Sequence, residues 1–96
     1  MFIIIAYDLN TTNAEGKKRL RRVAKLCQNY GIRVQNSVFE CKADEAQWHI
    51  LREKLLDEIE PRQDSLQFYY LNDTQRQKAE HHGVKEPVRV DQPLIL

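Results

Sequence analysis

An acid closes the first apolar run of this chain. "FIIIAYD" carries Phe2 through Ala6 into Tyr7 and then Asp8. A carboxylate at the end of a rigid strand is either a turn former or a metal ligand held at the rim of a sheet. Hard divalent cations such as Mg²⁺ bind through one or two carboxylates and keep several waters. A second chemical feature follows at once. Lys17, Lys18, Arg19, Arg21, Arg22 and Lys25 crowd one segment, and no acid falls between residues 16 and 25. A solvated helix face usually mixes signs and gains i,i+4 pairs. This one tolerates self-repulsion, which favours an external anion. A phosphate backbone fits, because its recognition needs positive charge and carries no sequence information. The remaining candidates are weaker. Cys27 and Cys41 lack CxxC spacing and read as structural thiols rather than zinc ligands. His81-His82 lies in a polar stretch and reads as an exposed pair.

The elements that must carry these groups follow from periodicity. Residues 2–9 read as a strand that is apolar on both parities, with Phe2, Ile4 and Ala6 on one side and Ile3, Ile5 and Tyr7 on the other. A two-sided strand needs both faces covered. In so short a chain one helical layer covers one face, so the other face calls for a second subunit. Thr12 to Glu15 fits a capping box that opens a helix over about 13–30. Leu20, Val23, Ala24 and Cys27 form its inward stripe, and the basic residues lie opposite, with Arg19 at the flank. Gly31 is a natural stop. Asn36 splits the β-rich stretch that follows into strands near 32–35 and 37–42. Asp44 to Gln47 predicts a second capping box and a helix over about 45–60, ended by Pro61, with Trp48, Leu51, Leu55 and Ile59 inward. "SLQFYYL" (65–71) predicts a further strand, and residues 72–83 a polar connection. The order strand, helix, strand, strand, helix, strand is the ferredoxin-like pattern of an α+β domain. The two most apolar strands, first and last, are expected at its centre as a parallel pair. An apolar end, "PLIL", is expected to add to a sheet edge, its own or a partner's.

The 96 residues suit one domain, and the 30% charged and 42% hydrophobic content is that of a globular protein. The longest apolar run, Met1 to Tyr7, is far shorter than the roughly 20 residues of a membrane span. It also lacks the basic flank and cleavage site of a signal peptide. A cytoplasmic protein with reduced thiols is the expectation. Net charge is only +1, but residues 1–42 hold eight Lys/Arg against three Asp/Glu, and residues 43–96 hold seven against eleven. The basic half suits a polyanion.

"YDL", "KRLRRVAK", "YGIRVQNSVFEC" and "DSLQFYYL", in this order, give the chain a resemblance to the CRISPR-associated protein 2 family. These are small ferredoxin-like dimers of spacer acquisition, also described as metal-dependent nucleases. The match runs through residues 1–71, and residues 84–96 resemble the family's C-terminal strand. Fold order alone would not assign a function; the joint pattern does.

The resemblance implies one domain over residues 1–96: ferredoxin-like βαββαβ plus an extra C-terminal strand. It implies a homodimer with sheets packed face to face and residues 84–96 added to the partner's sheet. The family's metal-binding acid falls on Asp8, close to its symmetry mate in the dimer, with Mg²⁺ or Mn²⁺ as the cofactor. Tyr7 and Ser37 fall beside it as candidate catalytic residues. The basic positions of the family's first helix fall on Arg19, Arg21 and Arg22, and its arginine before the third strand on Arg33. With Lys17 and Lys18 of the basic helix face, these are the expected nucleic-acid-binding residues. The acidic turn that often follows Tyr-Asp in the family is here Asn10-Thr11-Thr12-Asn13, so Asp8 stands without a second local carboxylate. Implied partners are the family's CRISPR-associated integrase and a double-stranded DNA prespacer, with single-stranded RNA as a further substrate and no membrane. The implied function is adaptation with endonuclease activity. A toxin-like ribonuclease of similar fold is the alternative, which no feature of the sequence favours.

Overall fold

Burial along the first strand alternates strictly. In β1, Phe2–Asp8, the side chains of Ile3, Ile5 and Tyr7 are buried, those of Phe2, Ile4 and Ala6 half-buried, and Asp8 is exposed. Two-residue periodicity sends odd positions to one face and even positions to the other. In the computed structural model, which describes residues 1–80 and 82, the two long helices cover the odd face.

The remaining elements are α1 (Ala14–Tyr30), β2 (Gly31–Gln35), β3 (Val38–Lys42), α2 (Glu45–Glu58), β4 (Ser65–Leu71) and α3 (Asp73–Gln77). The sheet order is β2-β3-β1-β4, and each of its pairs is antiparallel. The expected βαββαβ order of an α+β domain is present, but the expected parallel central pair is not. The β2–β3 hairpin reverses the chain between the two helical crossovers, so β4 runs opposite to β1. Beside it, β4 forms an edge and β1 shares the centre with β3. The edge position explains the exposure of Ser65, Gln67, Tyr69 and Tyr70 along an otherwise apolar strand.

Beneath α1 and α2 the core gathers Ile3, Ile5, Tyr7, Leu9, Val23, Cys27, Phe39, Cys41, Ala43, Trp48, Leu51 and Leu55. Trp48 meets Phe68 edge-on at 4.8 Å and donates its indole N–H to the Tyr70 hydroxyl at 3.3 Å. The indole thereby buries its rings yet keeps a partner for its polar atom. Asp44 and Gln47 form the reciprocal capping box expected for α2.

The entry to α1 differs from expectation by one residue. Asn10 Oδ1 accepts from both the backbone N–H and the hydroxyl of Thr12, at 3.0 and 2.7 Å. With Thr12 so engaged, Asn13 becomes the N-cap and accepts from the Gly16 N–H at 2.8 Å. Gly16 is required here because a Cβ would run into the Asn10 carbonyl oxygen. The polar connection after β4 also gains structure. Asn72 and Gln75 cap the short helix α3, whose Arg76 binds Glu40 at 2.7 Å and stacks 5.2 Å over the Phe2 ring. The expected strand over 84–96 lies outside the described residues. Among the described residues no helix is long and apolar enough to cross a membrane.

Substituting Gly16→Ala should force the β1–α1 connection away from the helix and cost about 1–3 kcal/mol, the usual range for overpacking. At roughly 4–8 °C per kcal/mol for a domain of this size, calorimetry resolves the fall in Tm. An unchanged Tm would show that the loop yields freely.

Candidate functional site

Asp8 is the last residue of β1, exposed, and on the even face, opposite to the one that α1 and α2 cover. Its position is bracketed on both sides. Before it, Tyr7 donates its backbone N–H to the Ser37 carbonyl at 3.0 Å. After it, Leu9 is buried and Asn10 donates its N–H to Asp64 at 3.1 Å. Across the β1–β4 ladder Asp8 faces Ser65. The carboxylate thus projects from a backbone fixed at each neighbour.

The three expected catalytic residues do not gather on one face. Tyr7 points to the helix-covered side, 5% exposed, with its ring stacked on Phe39 at 6.2 Å and Arg33 nearby. Burial raises its pKa, and the nearby Cys27 adds to that, with Arg33 opposing. The expectation that Tyr7 reaches the site beside Asp8 is therefore corrected: adjacent strand residues point to opposite faces. Ser37 stands in the β2–β3 turn at the same end of the sheet, joined to β1 through its carbonyl. Phe39 is fully buried and is a core residue.

The donor set at Asp8 is sparse. Among the described residues no group of three or more His, Cys, Asp or Glu side chains could hold a metal. One exposed carboxylate fits half of a hydrated Mg²⁺ or Mn²⁺ site. A hydrated ion of this kind takes one or two carboxylates and keeps several waters.

The basic residues divide by their partners. Lys17, Arg21 and Lys25 are exposed at i, i+4 and i+8 on α1, with no ion pair among the described residues. Lys18 lies a loose 3.9 Å from Glu15, and Arg22 reaches Glu58 of α2 at 3.2 Å; both remain well exposed. Arg33 is exposed on β2 with its guanidinium 5.1 Å over the Phe39 ring. Arg19 differs. Its side chain is 14% exposed and forks onto a fully buried Asp64 carboxylate, Nε to Oδ2 at 2.8 Å and Nη2 to Oδ1 at 3.2 Å. This fork commits Nε and Nη2 of the guanidinium to Asp64. The acids absent from residues 16–25 are supplied by Asp64 and Glu58 across the fold.

Asp64 is the residue that sequence reasoning missed. It also accepts from the Glu60 N–H at 2.8 Å, so each of its oxygens takes two hydrogen bonds. Burial pushes its pKa up, but the Arg19 guanidinium and the Glu60 and Asn10 amides outweigh that and hold it below the ordinary carboxylate value. The only sequence signal is an acid between Pro61 and a strand, which reads as a turn. The two cysteines are free and buried, as expected of structural thiols. Burial, and secondarily Cys41, push Cys27 up to about 12, so it remains a thiol at neutral pH. His82 is exposed and 3.1 Å from Glu80.

Comparison with known proteins finds relatives both in sequence and in structure. The family profile described as "CRISPR associated protein Cas2" matches residues 1–79. A protein of Chlorobaculum tepidum named CRISPR-associated endoribonuclease Cas2 is 53% identical over 96 residues, covering the whole of both chains. One of Halalkalibacterium halodurans named CRISPR-associated endonuclease Cas2 is 47% identical, also over the whole of both. The crystal structure of Streptococcus pyogenes Cas2 at pH 6.5 superposes with a TM-score of 0.78 at 43% identity, covering 86% of this chain and all of that one.

The lowered pKa of Asp64 sets an acid limit on stability. An unpaired Asp titrates near pH ~3.9 in the unfolded chain. Below that value the unfolded state takes up a proton that folded Asp64 resists, so its contribution is complete above about pH 4 and is lost as pH falls through the folded-state pKa. Asp64→Asn should remove that part of the acid dependence. At pH 7 it should also cost about 1–3 kcal/mol for a backbone N–H left unpaired. Denaturant melts of both proteins between pH 7 and pH 3 measure this; parallel acid curves would refute it.

Proposed function

The chain belongs to the CRISPR-associated protein Cas2 family, and on that premise we propose that it works in spacer acquisition as a dimer that holds a short nucleic-acid duplex by its backbone and bridges its integrase partner. A metal-dependent phosphodiesterase activity at paired Asp8 residues accompanies that role. The observation that carries the binding limb is the exposed row Lys17, Arg21 and Lys25 on α1, which has no ion-pair partners among the described residues. A duplex neutralises such a row through counterion release.

Dimerisation is supported by the open sheet face. Half-buried Phe2, Ile4, Ala6, Ile32, Val34, Val38 and Leu71, with exposed Tyr69, make an apolar surface that α1 and α2 do not cover and that α3 meets only at Phe2 among the described residues. Burying it against its own copy is an isologous two-fold contact. That contact doubles the basic row and brings a second Asp8 to the rim. Residues 84–96 are suited to complete the partner's sheet at the β4 edge.

Asp8 of each chain would hold the Mg²⁺ or Mn²⁺. When bound, the ion supplies an activated water and charge stabilisation on the phosphoryl oxygens. In this reading Lys18, Arg22 and Arg33 contact the nucleic-acid backbone from the helix-covered side, and the Ser37 hydroxyl, at the Asp8 end of the sheet, orients the phosphate. Sequestered Arg19 is left out of that set, and Tyr7 acts only through the core. The relatives' names specify an endoribonuclease and an endonuclease, so RNA and DNA are the substrates to compare. The expected compartment is the cytoplasm.

Asp8→Ala should reduce metal-dependent cleavage of RNA or DNA by about 10²-fold or more, in line with loss of a group that holds the charge-stabilising centre. The same variant should leave spacer integration by the reconstituted complex intact. Failed integration by a folded, dimeric Asp8→Ala protein would sink the scaffold reading.

Lys17→Glu with Arg21→Glu should weaken duplex binding and flatten the plot of log K against log salt by about 0.9 for each phosphate that is no longer neutralised. Fluorescence anisotropy across a salt series is the measurement. An unaltered slope would return the row to an ordinary solvated face.

A further inference from the structure

One carboxylate ties together all the segments that surround Asp8. Asp64 Oδ1 accepts from the Asn10 amide, two residues past Asp8, and from Arg19 Nη2. Its Oδ2 accepts from Arg19 Nε and from the Glu60 amide. The next residue, Ser65, is the cross-strand partner of Asp8. The loop after β1, the body of α1, the turn after α2 and the first residue of β4 therefore meet at a side chain that is fully buried. Gly16 brings the same loop against α1 from the other direction, at the Asn10 carbonyl.

We infer that Arg19 and Asp64 are positioning residues for Asp8: their buried ion pair fixes the backbone from which the Asp8 carboxylate projects. This inference rests on the reading of Asp8 as a metal ligand. A divalent ion shared by two carboxylates across a two-fold axis has few protein ligands. Small displacements of each carboxylate then cost affinity, because geometry has to be supplied by the backbone rather than by further donors. Asp8 has no second local acid to correct its position. The clamp supplies that constraint without touching the ion.

A second low-exposure pair provides the matched comparison. Glu40 and Arg76, 9% and 18% exposed, are joined at 2.7 Å between β3 and α3. Glu40 sits opposite Ile4, nearer the other end of β1 from Asp8. Weakening this pair perturbs the fold without removing a hydrogen bond to residues 8–12 or to Asp64, and the comparison is made between forms that size-exclusion chromatography shows to be equally dimeric. It separates a loss of general stability from a loss of positioning.

The test uses the full chain in four forms: wild type, Asp64→Asn, Arg76→Gln and Asp8→Asn. Two quantities are read by NMR at neutral pH: amide hydrogen exchange along the chain, and Mn²⁺-induced relaxation at residues around position 8. In Asp64→Asn the amides of residues 9–12 should exchange at least 100-fold faster, while Ile3 to Ile5 keep their protection relative to Arg76→Gln. Mn²⁺ affinity should fall at least tenfold in Asp64→Asn and stay within twofold of wild type in Arg76→Gln. Where Asp64→Asn fails to fold, the double variant Arg19→Gln with Asp64→Asn takes its place, since it leaves no unpaired charge behind. Arg19→Lys adds a further arm. It should loosen residues 9–12 and leave the salt slope of duplex binding unchanged. Unchanged exchange at 9–12, or unchanged Mn²⁺ affinity, in a folded clamp variant would overturn the inference. So would an equal fall of Mn²⁺ affinity in Arg76→Gln. Wild-type relaxation that Asp8→Asn does not abolish would instead refute Asp8 as the metal ligand; exchange at residues 9–12 then decides alone whether the clamp orders that segment.

Discussion

The Asp64 carboxylate is the constraint on which the site end of this fold depends. A buried ionised group must have its lone pairs satisfied or it destabilises the state that buries it. Asp64 meets that demand in full, with two backbone amides and both arms of the Arg19 fork. These donors come from three separate segments of the sequence. The bonds form together only when α1, the end of α2 and the β1–α1 loop are all in place. Local order around Asp8 is therefore tied to the packing of both helices.

The two faces of the sheet divide the work. On one, Ile3, Ile5, Tyr7 and Phe39 lie under the helices and hold the strands in register. On the other, apolar side chains remain half-covered and Asp8 stands at their margin. Strand alternation makes this division unavoidable, because Tyr7 and Asp8 are neighbours and cannot share a face. A tyrosine next to a candidate metal ligand looks like a catalytic partner when written in one line. In the fold it is a core residue stacked on Phe39. The cations divide similarly: proximity in sequence groups Arg19 with Lys17 and Arg21, whereas the fold withdraws it into an ion pair.

Much of the architecture was legible because it is local. The Asp44–Gln47 capping box, the Asn36 break between β2 and β3, the inward stripe of α1 and the two-sided apolarity of β1 each rest on residues a few positions apart, and each stands in the structure. Local competition misled in two places. Thr12 and Asn13 both suit an N-cap, and the choice turned on Asn10 capturing the Thr12 hydroxyl. Polar residues 72–77 read as a connection, although Asn72 and Gln75 cap a short helix whose Arg76 is drawn to Glu40.

What the sequence determined by itself was the set of elements, their order, the family, and the presence of an acid and a basic helix face. Periodicity and capping are short-range, and a motif is a property of the string. What only the tertiary structure decided was direction and partnership: that β4 runs antiparallel to β1 at an edge, that Tyr7 turns away from Asp8, and that Asp64 takes Arg19 out of the basic row. The reason is physical. Strand direction depends on how the hairpin and the two crossovers add up. The fate of a charge depends on which opposite charge the folded chain brings within hydrogen-bond reach, here across 45 positions of sequence.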